Sequence, residues 1–269
     1  MPERRDLIRQ GTVLISAIAA LAGSFVGSGA AGGTPIQDAS GGALAADATL
    51  IAPGGPAFAI WTPIYAGLVL YAIWQFLPRQ AGDPRQRRLG YAIAASLLLN
   101  AAWILSVQFD LLWLSVPVIV VLLAVLVWTF LTILDTRPRS WVETVLVDGT
   151  MGLYLGWVCV ATAANITAVL VAAGFTGFGL PADVWGVVVV AVAGIVGVIL
   201  ALVGRGRLTP SLALAWGLAW VAVARLSGEP ESIPTAIAAI VAVAAIVVTT
   251  VIARLRAIRH PATTEAVSA

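Results

Sequence analysis

Charge is what this chain has least of. Only 10% of its 269 residues are charged and 60% are hydrophobic; the mean hydropathy is +0.99. A soluble domain carries roughly 25% charged residues, so this composition cannot coat a water-facing surface. That excludes a soluble enzyme, a disordered chain and a nucleic-acid binder. It leaves an integral membrane protein with several helices. Cysteine occurs once, at Cys159, so neither an intramolecular disulfide nor a cysteine metal cluster can form. Histidine also occurs once, at His260, which excludes a multi-histidine metal site and a haem held by two histidines. Lysine is absent, all fifteen basic residues are arginine, and the net charge is +2. No Ser/His/Asp set, Cys-x-x-Cys, His-Glu-x-x-His or phosphate-binding Gly-x-x-x-x-Gly-Lys stretch occurs. The glycine-rich stretch 27–33 follows no strand pattern, so it reads as a helix end running into a loop. The chain is therefore not expected to be an enzyme or to require a cofactor.

What is present is a series of long apolar runs. A membrane helix needs ~20 mostly apolar residues. Runs at 11–31, 57–77, 89–109, 112–134, 143–173, 184–204, 210–226 and 234–254 satisfy this, the seventh being the shortest. None alternates in the ~10-residue units of a barrel strand. Helices are then the viable reading, because lipid offers no partner to open backbone. The expected fold class is all-α, polytopic, with eight transmembrane helices.

Arginine sets the expected orientation. Arg4, Arg5 and Arg9 precede the first run; Arg79, Arg85, Arg87 and Arg88 separate the second from the third. Arg137 and Arg139 follow the fourth, Arg205 and Arg207 the sixth, and Arg254, Arg256 and Arg259 the eighth. Fourteen arginines thus fall on one side and only Arg225 on the other. Both termini are expected to be cytoplasmic, in the inner membrane of a cell. The competing reading of the first run is a cleaved signal peptide ending near Ala30 and Ala31. The length of the run and the Gly23/Gly27 packing face favour a retained helix. A long loop without basic residues, 32–56, follows it.

Ten tryptophans are many for this length. Trp113, Trp141 and Trp185 fall at expected helix ends and fit an interfacial belt. Trp61, Trp103 and Trp157 lie within runs, each beside a polar residue or a helix breaker. The second run opens Pro56-Ala-Phe-Ala-Ile-Trp-Thr-Pro-Ile-Tyr65, which puts Trp61 and Tyr65 on one face, with Pro63 expected to kink the helix. The third places Asn100 and Trp103 at i,i+3. The fifth carries Tyr154, then Trp157, Ala161 and Asn165 at i, i+4 and i+8. An amide in hydrocarbon is costly, so each Asn should face the bundle interior, either bridging helices or lining a pocket. Three aromatic-bearing faces would make a wall suited to a flat apolar ligand with a few polar edges.

These three segments resemble the translocator protein/tryptophan-rich sensory protein family (TspO/MBR). That family shows a Pro-rich entry with Trp-x-x-x-Tyr, then Asn-x-x-Trp, then Tyr-Leu-x-Trp followed by Ala and Asn. Residues 10–173 carry the likeness, and the long first loop resembles the family's loop over its ligand pocket. The resemblance implies an intramembrane site for a tetrapyrrole (protoporphyrin or haem) or a sterol-like molecule, used for sensing or transport. The ligand-binding residues it implies are Trp61, Tyr65, Asn100, Trp103, Tyr154, Trp157, Ala161 and Asn165. The chain departs from the pattern in having Gly152 and Leu153 where a proline is usual, and in three extra helices.

The expected organisation is a five-helix domain over 1–173, three further helices over 174–258, and a disordered tail over 259–269. Gly186, Gly194 and Gly197 read as close-packing positions, and Trp216 and Trp220 share a face. Asp148 falls inside the fifth run, with Arg137 or Arg139 as its expected partner. The arginines at the C-terminal end are expected to meet anionic lipid headgroups. Besides the bilayer and the ligand, a second copy of the chain is a candidate partner; nucleic acid is not. The alternatives are a secondary transporter of small molecules and a structural membrane subunit.

Overall fold

The computed structural model describes residues 3–29, 32 and 34–259. Among these, eight helices are long and apolar enough to cross a membrane. They are α1 (Arg4–Gly27), α2 (Trp61–Trp74, of membrane length together with its helical entry from Gly55), α3 (Pro84–Gln108), α4 (Leu112–Leu134), α5 (Trp141–Ala172), α6 (Ala182–Val203), α7 (Leu208–Ser227) and α8 (Ile233–Arg259). The expected tail 260–269, and Ala30 and Ala31 of the signal-peptide alternative, lie outside the described residues.

Three elements differ from the sequence expectation. α1 starts at Arg4 rather than near residue 11, because Glu3 and Asp6 form a capping box and Arg87 pairs with both. Arg9 thereby becomes a helix residue buried in the bundle, where it donates to the Ala81 carbonyl at 2.9 Å. Pro63 does not kink a helix interior. The chain enters as a 3₁₀ turn over Gly55–Ile60, and Pro63 sits in the first turn of α2, where a missing N–H costs nothing. The start of α5 is wound as a π-helix over Thr144–Gly149, which turns the Asp148 carboxylate into the protein.

α1 packs on α3, α3 on α4 and α4 on α5, while α2 rests between α1 and α5. One apolar core joins these five helices, and a second joins α5 to α6, α7 and α8. The small residues decide who touches whom. A Cβ on Gly27 would stand 2.6 Å from Ile104, so the Gly23/Gly27 face serves α1–α3 packing within the chain. A Cβ on Gly156 would stand 2.1 Å from the Pro210 carbonyl oxygen, and one on Gly152 2.2 Å from Thr209. The glycine at 152 is thus what lets α7 lie directly on α5. Gly186, Gly194 and Gly197 meet Thr235, Ala242 and Ile246 of α8, as their spacing suggested.

Candidate functional site

The loop between α1 and α2 folds over one end of the bundle and is tied on two sides. Toward α3, Ser40 Oγ donates to the Val107 carbonyl (2.8 Å), and Gln108 donates to the Thr34 carbonyl (2.8 Å). Toward α7, Trp216 Nε1 donates to the Ala57 carbonyl (2.9 Å) and Arg225 to the Ala46 carbonyl (2.8 Å). Gly54 N–H also donates to the Trp220 carbonyl at 3.2 Å. A buried carbonyl needs a donor, and these side chains supply them at the points where the loop crosses the helices.

Beneath this loop lies a cavity of about 440 Å³ between the ends of α1, α2 and α3. Phe58, Trp61, Tyr65 and Trp103 provide its aromatic surface. Ser24, Gln37 and Thr62 are among its polar edges, and among the described residues no charged side chain lines it. A second, much smaller space of about 50 Å³ adjoins it, bounded by Trp103, Trp157, Ala161 and Asn165 under loop residues 43–53. Phe58 and Trp103 border both spaces and so partition them.

The eight sequence-derived residues therefore do not converge on one chamber. Trp61 and Tyr65 line the larger cavity, Trp157, Ala161 and Asn165 the smaller, and Trp103 both. Asn100 and Tyr154 line neither. Asn100 is buried and donates to Tyr65 Oη at 2.6 Å, which fixes the phenol at the cavity wall. Tyr154 donates to the Ser96 carbonyl at 3.1 Å and stacks edge-on against Trp61, centroids 5.7 Å apart. Trp157 stands edge-on to both Trp61 (6.3 Å) and Phe58 (5.5 Å). Asn165 accepts from Trp103 Nε1 (3.2 Å) and donates to Ser115 Oγ (2.9 Å), so one amide joins α3, α4 and α5. The two asparagines act on the site by holding aromatic rings.

Phe58 was not singled out from the sequence, although it lies in the same Pro-rich entry as Trp61. Its signal was the spacing to Trp61, i,i+3 across a 3₁₀ turn, where side chains eclipse. Ile36 and Gln37 carry no sequence signal, because a loop's fold over a pocket is set by distant contacts.

At the opposite end, Asp148 pairs with Arg85 and, at 2.8 Å, with Arg207, and not with Arg137 or Arg139. Arg139 pairs instead with Asp83 at 2.5 Å. Glu143 bonds Arg85 at 2.8 Å and Gln86 at 2.9 Å. The cause is the π-helical turn, which aims Asp148 at the start of α3, while Arg137 and Arg139 sit before α5 on its outer side.

A family model described as TSPO-like protein matches residues 13–253. The match runs past the segment 10–173 that bears the motifs and takes in α6, α7 and most of α8. No curated protein and no solved structure matches the chain.

Proposed function

This chain belongs to the TSPO-like protein family, and we propose that it binds a flat, largely apolar ring ligand under its first loop, for sensing or transport. The ligand class is tetrapyrrole or sterol-like. The observation that carries this reading is the aromatic lining of the 440 Å³ cavity. Small-molecule pockets commonly measure ~300–1,000 Å³ and are mostly apolar with a few polar groups. Rings offset or edge-on to one another are favourable for aromatic ligands. The lining also ranks the ligands. With no charged side chain among the described residues of the wall, a carboxylate inside would be an unpaired buried charge, which is expensive. A tetrapyrrole must then leave its acid groups at the cavity mouth, whereas a sterol can enter whole.

The experiment is a titration of the purified protein with protoporphyrin, read by tryptophan quenching, with a sterol as competitor. Saturable quenching reversed by the sterol supports one shared site. Quenching that stays linear with ligand, in protein of intact fold, rules the reading out. In the same spirit we place the protein in the inner membrane with both termini cytoplasmic, on the strength of the arginine distribution.

A further inference from the structure

A crevice of about 990 Å³ runs up the outside of the bundle at the arginine-rich end, between α2, α5 and the α6–α7 turn. Its walls are apolar: Leu70, Leu146, Leu153 and Leu208. Its end is basic, with Arg205, Arg207 and Arg254. Geometry forces these three together. Gly206 has φ +72°, and a Cβ there would stand 2.3 Å from the Arg254 backbone nitrogen, so the turn lies flat on α8. Arg205 adopts φ +52° in the same turn, a conformation most residues avoid. Two carboxylates border the crevice, Asp135 and Asp148. Asp148 is engaged by Arg85 and Arg207. Among the described residues Arg205 and Arg254 have no acidic partner, and both stand exposed at the mouth.

We propose that this crevice is a fixed binding site for one anionic phospholipid. Its phosphate lies on Arg205 and Arg254, and an acyl chain follows the leucine wall. Charge complementarity selects the anion: two unpaired cations face one remaining carboxylate, Asp135. The wall selects a lipid over a free anion. Leu70 is 52% exposed and Leu208 44% exposed, and inorganic phosphate would leave both uncovered.

The test is native mass spectrometry of the full chain released from nanodiscs of equal phosphatidylglycerol and phosphatidylcholine. Wild type is expected to carry one phosphatidylglycerol adduct. Arg205→Gln/Arg254→Gln should lower its occupancy at least about ten-fold, and Arg205→Lys/Arg254→Lys should retain most of it. Should the glutamine pair fail to fold, Leu153→Trp fills the acyl groove with the arginines intact and should also lose the adduct. The proposal is overturned by adducts that show no preference for phosphatidylglycerol. It is equally overturned if both the glutamine pair and Leu153→Trp keep wild-type occupancy, or if inorganic phosphate stabilises the protein thermally as much as phosphatidylglycerol does.

Discussion

Trp61 and Trp157 stand edge-on to one another, ring centroids 6.3 Å apart, yet they should fail differently. Trp61 is half-buried and presents a face to the cavity; Trp157 is 2% exposed and stands behind it. Trp157→Ala should therefore act first on the fold, costing about 3–5 kcal/mol as large-to-small core changes do. A thermal melt in detergent checks this, and a melt unchanged from wild type refutes it. Asn165→Leu leaves Trp103 Nε1 without its acceptor and cuts the tie to Ser115, whose hydroxyl keeps the Leu112 carbonyl; this should cost about 1–3 kcal/mol and loosen the wall shared by both spaces. Asp148→Asn is expected to destabilise more than a surface change would, because Arg85, 6% exposed, loses a charged partner in a buried setting. Arg207, 31% exposed, contributes little to that loss.

Helix contacts explain a departure that sequence motifs left open. Gly152 and Leu153 stand in the stretch before Tyr154 where the resembled motif has a proline, and Gly152 with Gly156 gives α7 a flat surface on α5. Gly156→Leu should push the two helices apart and lower the melting temperature; Gly27→Leu should do the same between α1 and α3. α7 in turn holds the loop. Trp216→Phe removes the Ala57 tie while keeping the ring, so hydrogen exchange over residues 46–57 should rise with the global melt little changed. Equal protection in both proteins would show that the tie does not hold the loop. The spans were legible because apolar runs of membrane length have few other solutions. The ties were not. Trp216 and Ala57 lie 159 residues apart, and Asp148 and Arg85 63 apart, so no local periodicity joins them.

The whole molecule is divided by charge. Fourteen of fifteen arginines fall at one end by the alternation of spans, and Asp38, Asp47, Asp110, Asp183, Glu229 and Glu231 at the other. The fifteenth, Arg225, is buried and spent on loop carbonyls. That asymmetry predicts orientation. In a Cys159→Ala background, Asp38→Cys should label from outside the cell and Gly82→Cys only after permeabilisation; both positions are exposed. The reverse pattern would invert the topology. The site itself was legible in part. The motif residues come together because helical spacing keeps them on inward faces, but the partition by Phe58 and the roof of residues 34–54 depend on how the loop folds back. The account rests on that roofed cavity holding a flat ligand, and a Soret-band titration of protoporphyrin into wild type, Trp61→Ala and Phe58→Ala tests it most directly. With folding matched by melt, Trp61→Ala should bind about 5–150-fold more weakly, the ~1–3 kcal/mol of a lost stacking wall, and Phe58→Ala should weaken binding too. Wild-type affinity in both variants would contradict the account.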